Sequence, residues 1–200
     1  MKALLEKGCV ITGTDTDVGK TVCAIHCLTL TQGTYWKPIQ SGRPRDRERV
    51  QEKTGLDETH FIKERYDFTK PLSPHEAAAY DQQEIVLQEL LLPKRIMHPP
   101  LIVEGAGGVF VPLNKREFMM DLFCQLSLPI LLVARSTLGT INHTLLTIDC
   151  VRRRGLSLLG VVVVGPFMPA NEEAISFYGK VPIVGRIDLS LPETQFIALE

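Results

Sequence analysis

The sequence predicts an α/β fold: a mostly parallel sheet with helices on both faces. Short apolar runs alternate with longer amphipathic segments along the chain, and the runs are continuously apolar rather than alternating apolar with polar. Strands buried on both faces have this pattern, and a sheet covered on both faces is typically a parallel one. A third observation agrees, because a glycine-bounded loop joins the first apolar run to the first helical segment.

Each element has a local reason. Residues 9–12, Cys-Val-Ile-Thr between Gly8 and Gly13, read as the first strand, and residues 19 to about 30 as a helix. Residues 34–37 read as a second strand, stopped by Pro38, which has no N–H to give a ladder. Residues 46–53 suit a short helix, and residues 82–92 another. Residues 100–104 and 129–134 read as the third and fourth strands, residues 158–164 as a fifth broken by Gly160, and residues 182–184 as a sixth. A helix over residues 140–154 is ended by Gly155. With no internal repeat, low-complexity tract or linker, residues 1–200 read as a single domain.

Composition narrows the function. A chain of 200 residues buries roughly 70% of its unfolded surface, so one core suffices without disulfides. The 22 basic and 23 acidic residues give no reason to propose a basic stripe for nucleic acid or a patch for a membrane surface. The five cysteines are odd in number and lack C-x-x-C spacing, which places the chain in a reducing, cytoplasmic compartment. Cys23 and Cys27 share a helix face and read as buried small hydrophobes rather than a metal pair. Charge interrupts the N-terminus before an apolar run of signal-peptide length develops, and no stretch of about 18 apolar residues predicts a membrane span.

The strongest local signal is Gly13-Thr14-Asp15-Thr16-Asp17-Val18-Gly19-Lys20-Thr21. It leaves a strand and opens a helix, the setting of a phosphate-binding loop. Backbone N–H groups and the helix N-terminus attract phosphate oxygens. Lys20 adds a full charge for the β- and γ-phosphates, and the Thr21 hydroxyl suits Mg²⁺. Counting back from Gly19-Lys20, the first glycine of the common motif would fall on Thr14, so this loop is one residue longer.

Other candidates lie at strand ends, where ligands of open α/β sheets collect. Glu104 closes an apolar run before Gly105-Ala106-Gly107-Gly108 and is a candidate for the metal. Lys37 ends the second strand before Pro38-Ile39-Gln40-Ser41-Gly42. Asp46 sits in the charge-rich stretch 43–49, which by composition reads as an exposed, mobile loop. Gly139-Thr140-Ile141-Asn142-His143 suits a helix start with free N–H groups for a carboxylate.

Together these motifs resemble the dethiobiotin synthetase family from about residue 8 to residue 165. The lengthened phosphate loop, Lys37 to Gly42, Pro71-Leu72-Ser73-Pro74-His75-Glu76-Ala77, Glu104 to Gly108 with Pro112-Leu113, and Leu138 to His143 with Leu146-Thr147 occur in the family's order. The resemblance implies a phosphate-loop NTPase-like fold. It also implies an ATP- and Mg²⁺-dependent reaction of 7,8-diaminopelargonic acid with CO₂. One amine becomes a carbamate, ATP phosphorylates it, and the second amine closes a ureido ring.

The resemblance assigns roles. Lys37 and Lys20 are catalytic. Asp17, Val18, Gly19, Lys20, Thr21, Val22, Asp46, Glu104, Gly105, Ala106, Gly107, Val164 and Gly165 bind nucleotide. Thr12, Thr16, Lys37, Ser41, Gly139, Thr140 and Asn142 bind the diamine substrate, and Thr21, Asp46 and Glu104 hold the metal. Asp57 or Glu48 are alternatives to Asp46. The amides near residues 138–142 would serve the neighbouring subunit, which implies a homodimer. One departure concerns the base. The family usually carries an Asn-Asp pair after the fifth strand, whereas this chain has Val163-Val164-Gly165-Pro166. Weak discrimination among nucleoside triphosphates is expected. The chief rival, a partitioning-type ATPase switch, would carry lysine after the loop's first glycine, where this chain has Thr14. A cobalamin-type amidase would need a further glutaminase domain.

Overall fold

The structure, a computed structural model, describes residues 1–188 and, in backbone only, the strand Gln195–Ala198. β1 (Cys9–Gly13) is buried along its length and leads through the loop 14–19 into α1 (Lys20–Thr31). β2 (Thr34–Trp36), β3 (Ile39–Ser41), α2 (Asp46–Thr54), β4 (Phe61–Ile62), β5 (Tyr66–Phe68) and α3 (Pro74–Tyr80) follow. The second half comprises β6 (Leu101–Gly108), α4 (Met119–Leu126), β7 (Ile130–Arg135), α5 (Thr140–Arg153), β8 (Leu158–Val164), α6 (Pro169–Gly179), β9 (Ile183–Asp188) and β10 (Gln195–Ala198).

The main sheet has the order β10-β9-β8-β7-β1-β6-β2-β4. Every neighbouring pair is parallel except β10 with β9. Alternation along β1 divides the core. Cys9 and Ile11 pack with Cys23, Ala24, Cys27 and Leu28 of α1 and Val50 of α2. Val10 points the other way, into a cluster with Ala77 of α3, Phe123 of α4 and Val151 of α5. Leu132 and Ala134 of β7 pack with Ile148 of α5 and Ile175 of α6. Helices therefore cover both faces, as continuously apolar strands require. Cys23 and Cys27 are buried, and all five cysteines are free thiols.

Four expectations need correction. Residues 82–92 hold no α-helix, only a single 3₁₀ turn at Leu87–Glu89. Ile85, Leu87 and Leu90 are buried, and side chains satisfy the backbone there: Val86 N donates to Tyr66 Oη, and Gln125 Nε2 donates to the carbonyls of Leu87 and Leu90. An extended run with such partners needs no helical ladder. The local helix is instead α3, opened by Pro74 at its first turn.

The charge-rich stretch is a loop only over residues 43–45; from Asp46 it is helical, as expected for residues 46–53. It enters α2, whose first amide is taken by the Gln40 side chain, with Asp46 N to Oε1 at 3.1 Å. Asp46 and Glu48 lie in its first turn and Lys53 in its last, the arrangement that suits the helix dipole. Glu104 is not a strand end, because β6 continues to Gly108 and pairs it with Gly13. Finally, α4, α6, β10 and the small parallel sheet of β3 and β5 were not singled out by pattern.

Candidate active site

The loop 14–19 has a shape that two glycines permit. A side chain at Gly13 would place Cβ 2.5 Å from Val18 Cγ2, and Gly19 has φ of +98°, in the left-handed region. Neither position accepts an ordinary residue. Val18 is thereby buried beneath the loop. Arg135 at the end of β7 ties the loop down, with Nη2 3.1 Å from Asp15 Oδ2 and 3.0 Å from Thr16 O. Lys20 opens α1, and its Nζ donates to Asp15 O at 2.9 Å. Burial lowers the pKa of Lys20 from the ordinary lysine value, opposed by Glu104 and assisted by neighbouring Lys37.

Across from the loop, Lys37, Asp46 and Glu104 converge. Thr21 Oγ1 lies 2.9 Å from Glu104 Oε1 and 3.2 Å from Asp46 Oδ1. The Lys37 ammonium is buried, pairs with Asp46 Oδ2, and lies 3.2 Å from Glu104 Oε1. Tyr35 Oη donates to the other Glu104 oxygen at 2.8 Å. Burial depresses the Lys37 pKa, but the Glu104 and Asp46 carboxylates outweigh it and the net shift is upward. Burial, reinforced by Glu104, holds the Tyr35 phenol well above its ordinary value. Lys37 is thus a fixed cation in this arrangement.

Lys20, Thr21, Lys37, Asp46 and Glu104 line a cavity of about 580 Å³, which is also lined by Gln40, Ser41, Arg43, Arg49 and residues 71–74. Three oxygen-bearing side chains and two lysines facing one cavity suit a metal–triphosphate complex. Thr12 Oγ1 and Ser41 Oγ are buried and have no hydrogen-bond partner. Buried hydroxyls are ordinarily satisfied; Ser41 lines the cavity and is available to a ligand there, whereas Thr12 lies outside the lining.

Comparison with known proteins agrees with this geometry. Residues 7–193 match the family described as an AAA domain. The ATP-dependent dethiobiotin synthetase BioD of Paramagnetospirillum magneticum is 45% identical over 183 residues, covering 90% of this chain and 87% of that protein. The protein of the same name from Rhodopseudomonas palustris (strain HaA2) is 42% identical, covering 92% of this chain and 86% of its own length. The chain belongs to the ATP-dependent dethiobiotin synthetase family. The crystal structure of a ParA family ATPase from Chlorobium tepidum TLS superposes with a TM-score of 0.54 at 12% identity, covering 90% of this chain and 83% of that one. That likeness shows a shared α/β architecture.

Most of the residues matched to the dethiobiotin synthetase pattern come together. Thr16, Asp17, Gly19, Lys20, Thr21, Val22, Lys37, Ser41, Asp46, Glu104, Ala106 and Gly107 line the one cavity. Thr12 and Val18 are buried outside the lining, and Gly105 packs where a Cβ would meet the Phe123 ring at 2.7 Å. Neither alternative to Asp46 reaches the site: Asp57 caps the turn at Glu58–His60, and Glu48 pairs with Arg45.

Two groups lie elsewhere. Val164 packs on Gly19, and Gly165 lines a second cavity. Gly139, Thr140 and Asn142 start α5 outside the first cavity, and Thr140 Oγ1 is engaged by Arg135 O at 2.5 Å. Sequence reasoning missed Gln40, which starts α2, and Arg135, which anchors the loop. The position of Gln40 six residues before an acidic helix start was the available signal; for Arg135 there was none, because its partners are 119 and 120 residues away.

Proposed function

We infer that this chain catalyses the reaction of its family: 7,8-diaminopelargonic acid, CO₂ and ATP give dethiobiotin, ADP and phosphate. The observation that carries this is the buried Lys37 ammonium, held by Asp46 and Glu104 in the wall facing the phosphate loop. A switch that only hydrolyses ATP has no evident need of a second buried cation there.

The donor set of Thr21, Asp46 and Glu104 fits Mg²⁺, which commonly takes one or two carboxylates and completes its shell with phosphate oxygens and water. When bound, the ion neutralises phosphate charge and orients the transfer. The chain's own residues supply the rest. Lys20 and the loop amides hold the triphosphate and meet negative charge on the transferring phosphoryl group.

One substrate amine forms a bond to CO₂ and loses its proton to solvent. The carbamate oxygen then attacks the γ-phosphorus as the bond to ADP breaks. The second amine attacks the carbamoyl carbon, phosphate leaves with its bonding electron pair, and the amine's proton is lost to phosphate or solvent. Lys37 stabilises the carbamate anion and its phosphorylated form, acting as a cation because its pKa is raised. Ser41, which lines the cavity, offers its unpartnered hydroxyl to the substrate and helps fix the second amine within reach of the carbonyl.

The substrate's carboxylate is taken by the start of α5 from a neighbouring copy. Two features support this: those residues stand outside the cavity of their own chain, and Leu138 beside them is fully exposed. The working form is then a cytoplasmic homodimer of single-domain subunits. No helix among the described residues is long and apolar enough to cross a membrane. Phosphate release from MgATP and bicarbonate tests the reading. Release should require the diamine and collapse in Lys37→Ala. Release indifferent to the diamine would overturn it in favour of a switch ATPase.

A further inference from the structure

We propose that the second cavity seats the nucleotide's base and that Phe167 and Arg186 hold it by stacking, without reading its edge. The inference rests on the triphosphate occupying the loop 14–19 as described above. Sheet order gives the nucleotide its direction. Lys37 and Asp46 follow β2, and Glu104 lies on β6, so the reacting groups stand on one side of β1. Strands β7, β8 and β9 stand on the other. The loop's last glycine touches that second side, since a Cβ on Gly19 would lie 3.0 Å from Val164 Cγ1. A triphosphate with its γ-phosphate towards Lys37 therefore leaves the loop towards the end of β8.

There a cavity of about 320 Å³ is lined by Val163, Gly165, Phe167, Glu172, Arg186 and Asp188. Phe167 is a large apolar ring left 60% exposed. The Arg186 guanidinium carbon stands 4.5 Å from its centroid. Glu172, buried on α6, fixes that guanidinium, with Nε at 2.8 and 2.7 Å from its two oxygens and Nη2 at 2.6 Å. A planar cation already stacked and locked from behind is a rigid platform for another planar group. Reading a base edge usually employs an amide, and the one amide of α6, Asn171, gives its Nδ2 to Ser136 O at 2.8 Å. Every nucleobase has a π-face, so such a platform favours larger rings and is indifferent to their substituents.

Equilibrium binding of MgATP, MgGTP, MgCTP and Mg-tripolyphosphate to the full chain tests this. ATP and GTP should bind within about threefold of one another and CTP more weakly, because stacking follows ring area. Phe167→Ala should weaken ATP and GTP by the same factor, about tenfold, and leave tripolyphosphate unchanged, since only the base is lost. Phe167→Trp should retain or improve both affinities. Arg186→Ala should follow Phe167→Ala, with the fold checked by its far-ultraviolet spectrum. An unchanged nucleotide affinity in Phe167→Ala, or a loss confined to ATP, overturns the proposal. Failure of tripolyphosphate to bind the unaltered protein would instead overturn the loop reading beneath it.

Discussion

The two cavities are built on opposite principles. In the first, Lys37, two carboxylates, a threonine hydroxyl and a tyrosine phenol interlock within hydrogen-bond distance, and Lys20 is held opposite them by the carbonyl of Asp15. Around the second, which is smaller, stand one ion pair and one exposed ring. Charge developing on a phosphoryl group demands donors fixed in place, because preorganisation is what lowers the barrier. A base that takes no part in the chemistry needs only a surface. The comparison teaches that the first end tolerates little substitution, whereas the second can be rebuilt while the reaction persists.

Lys37→Ala is the largest expected break in this contrast. It should lower kcat by about 10²- to 10³-fold, the usual loss for one preorganised donor. It also leaves two carboxylates facing each other in a mostly buried wall, which costs about 3 kcal/mol of stability. Added Mg²⁺ should restore much of that stability, since a divalent ion can take the ammonium's place. Melting curves with and without Mg²⁺ check this, and a variant as stable as the parent without metal would refute the role of Lys37 in holding Asp46 and Glu104.

The lysines should also separate by pH. Lys20 is shifted down from 10.5 and Lys37 up from 10.5, so Lys20 loses its proton first as pH rises. Bound triphosphate raises the Lys20 pKa again, so between the free and bound values the complex holds more protons than its components. Nucleotide affinity must then fall as pH climbs through that window, and binding must take up protons. Calorimetry in buffers of differing ionisation enthalpy measures the uptake. Lys20→Met should abolish it, and Lys37→Met should leave it in place.

The reacting end was legible in the sequence for a physical reason. A strand, a tight loop and a helix start are consecutive in the chain, so Gly13, Gly19, Lys20 and Thr21 declare the site locally. Lys37 and Glu104 were legible because each follows an apolar run at the ligand-bearing edge of the sheet. Asp46 was harder: its segment is highly charged, and its helix depends on Gln40 and on ion pairs from Arg45 to Asp67 and Arg47 to Glu64, which no pattern reveals. The contact between Phe167, just before α6, and Arg186 of β9 joins residues far apart in the chain and was invisible in the sequence. Residues 82–92 misled because apolar residues that fill a core from an extended run can mimic a helix face.

Tyr35→Phe sharpens the contrast by a smaller step. Its hydroxyl donates to Glu104 Oε2 at 2.8 Å in a fully buried position. Hydrogen bonds to charged groups contribute about 1.5–3 kcal/mol. Stability should fall by about that amount, and Glu104, free to turn, should hold Mg²⁺ less tightly. The Mg²⁺ concentration for half-maximal activity should rise several-fold while the ratio of ATP to GTP affinity stays fixed. A changed base ratio would mean that the two ends are coupled through β6 and β1.

Gln40→Ala gives the smallest effect and the finest test of how α2 is placed. Gln40 Oε1 accepts the first amide of α2 from Asp46 N at 3.1 Å, and its Nε2 donates to the carbonyls of Ser41 and Gly42 at 3.2 and 3.3 Å. The side chain thus staples the end of β3, which carries Ser41, to α2, which begins at Asp46. Losing a helix cap costs about 1 kcal/mol. The expected variant folds, melts a few degrees lower, and has a raised requirement for both Mg²⁺ and diamine, because Asp46 and Ser41 lose the same support. Gln40→Glu keeps the acceptor for the amide but loses the donors to the carbonyls, so it should restore the Mg²⁺ requirement and leave the diamine KM raised. If both requirements move together in Gln40→Glu, the side chain acts as a spacer between β3 and α2, and its two hydrogen-bonding halves have no separate roles.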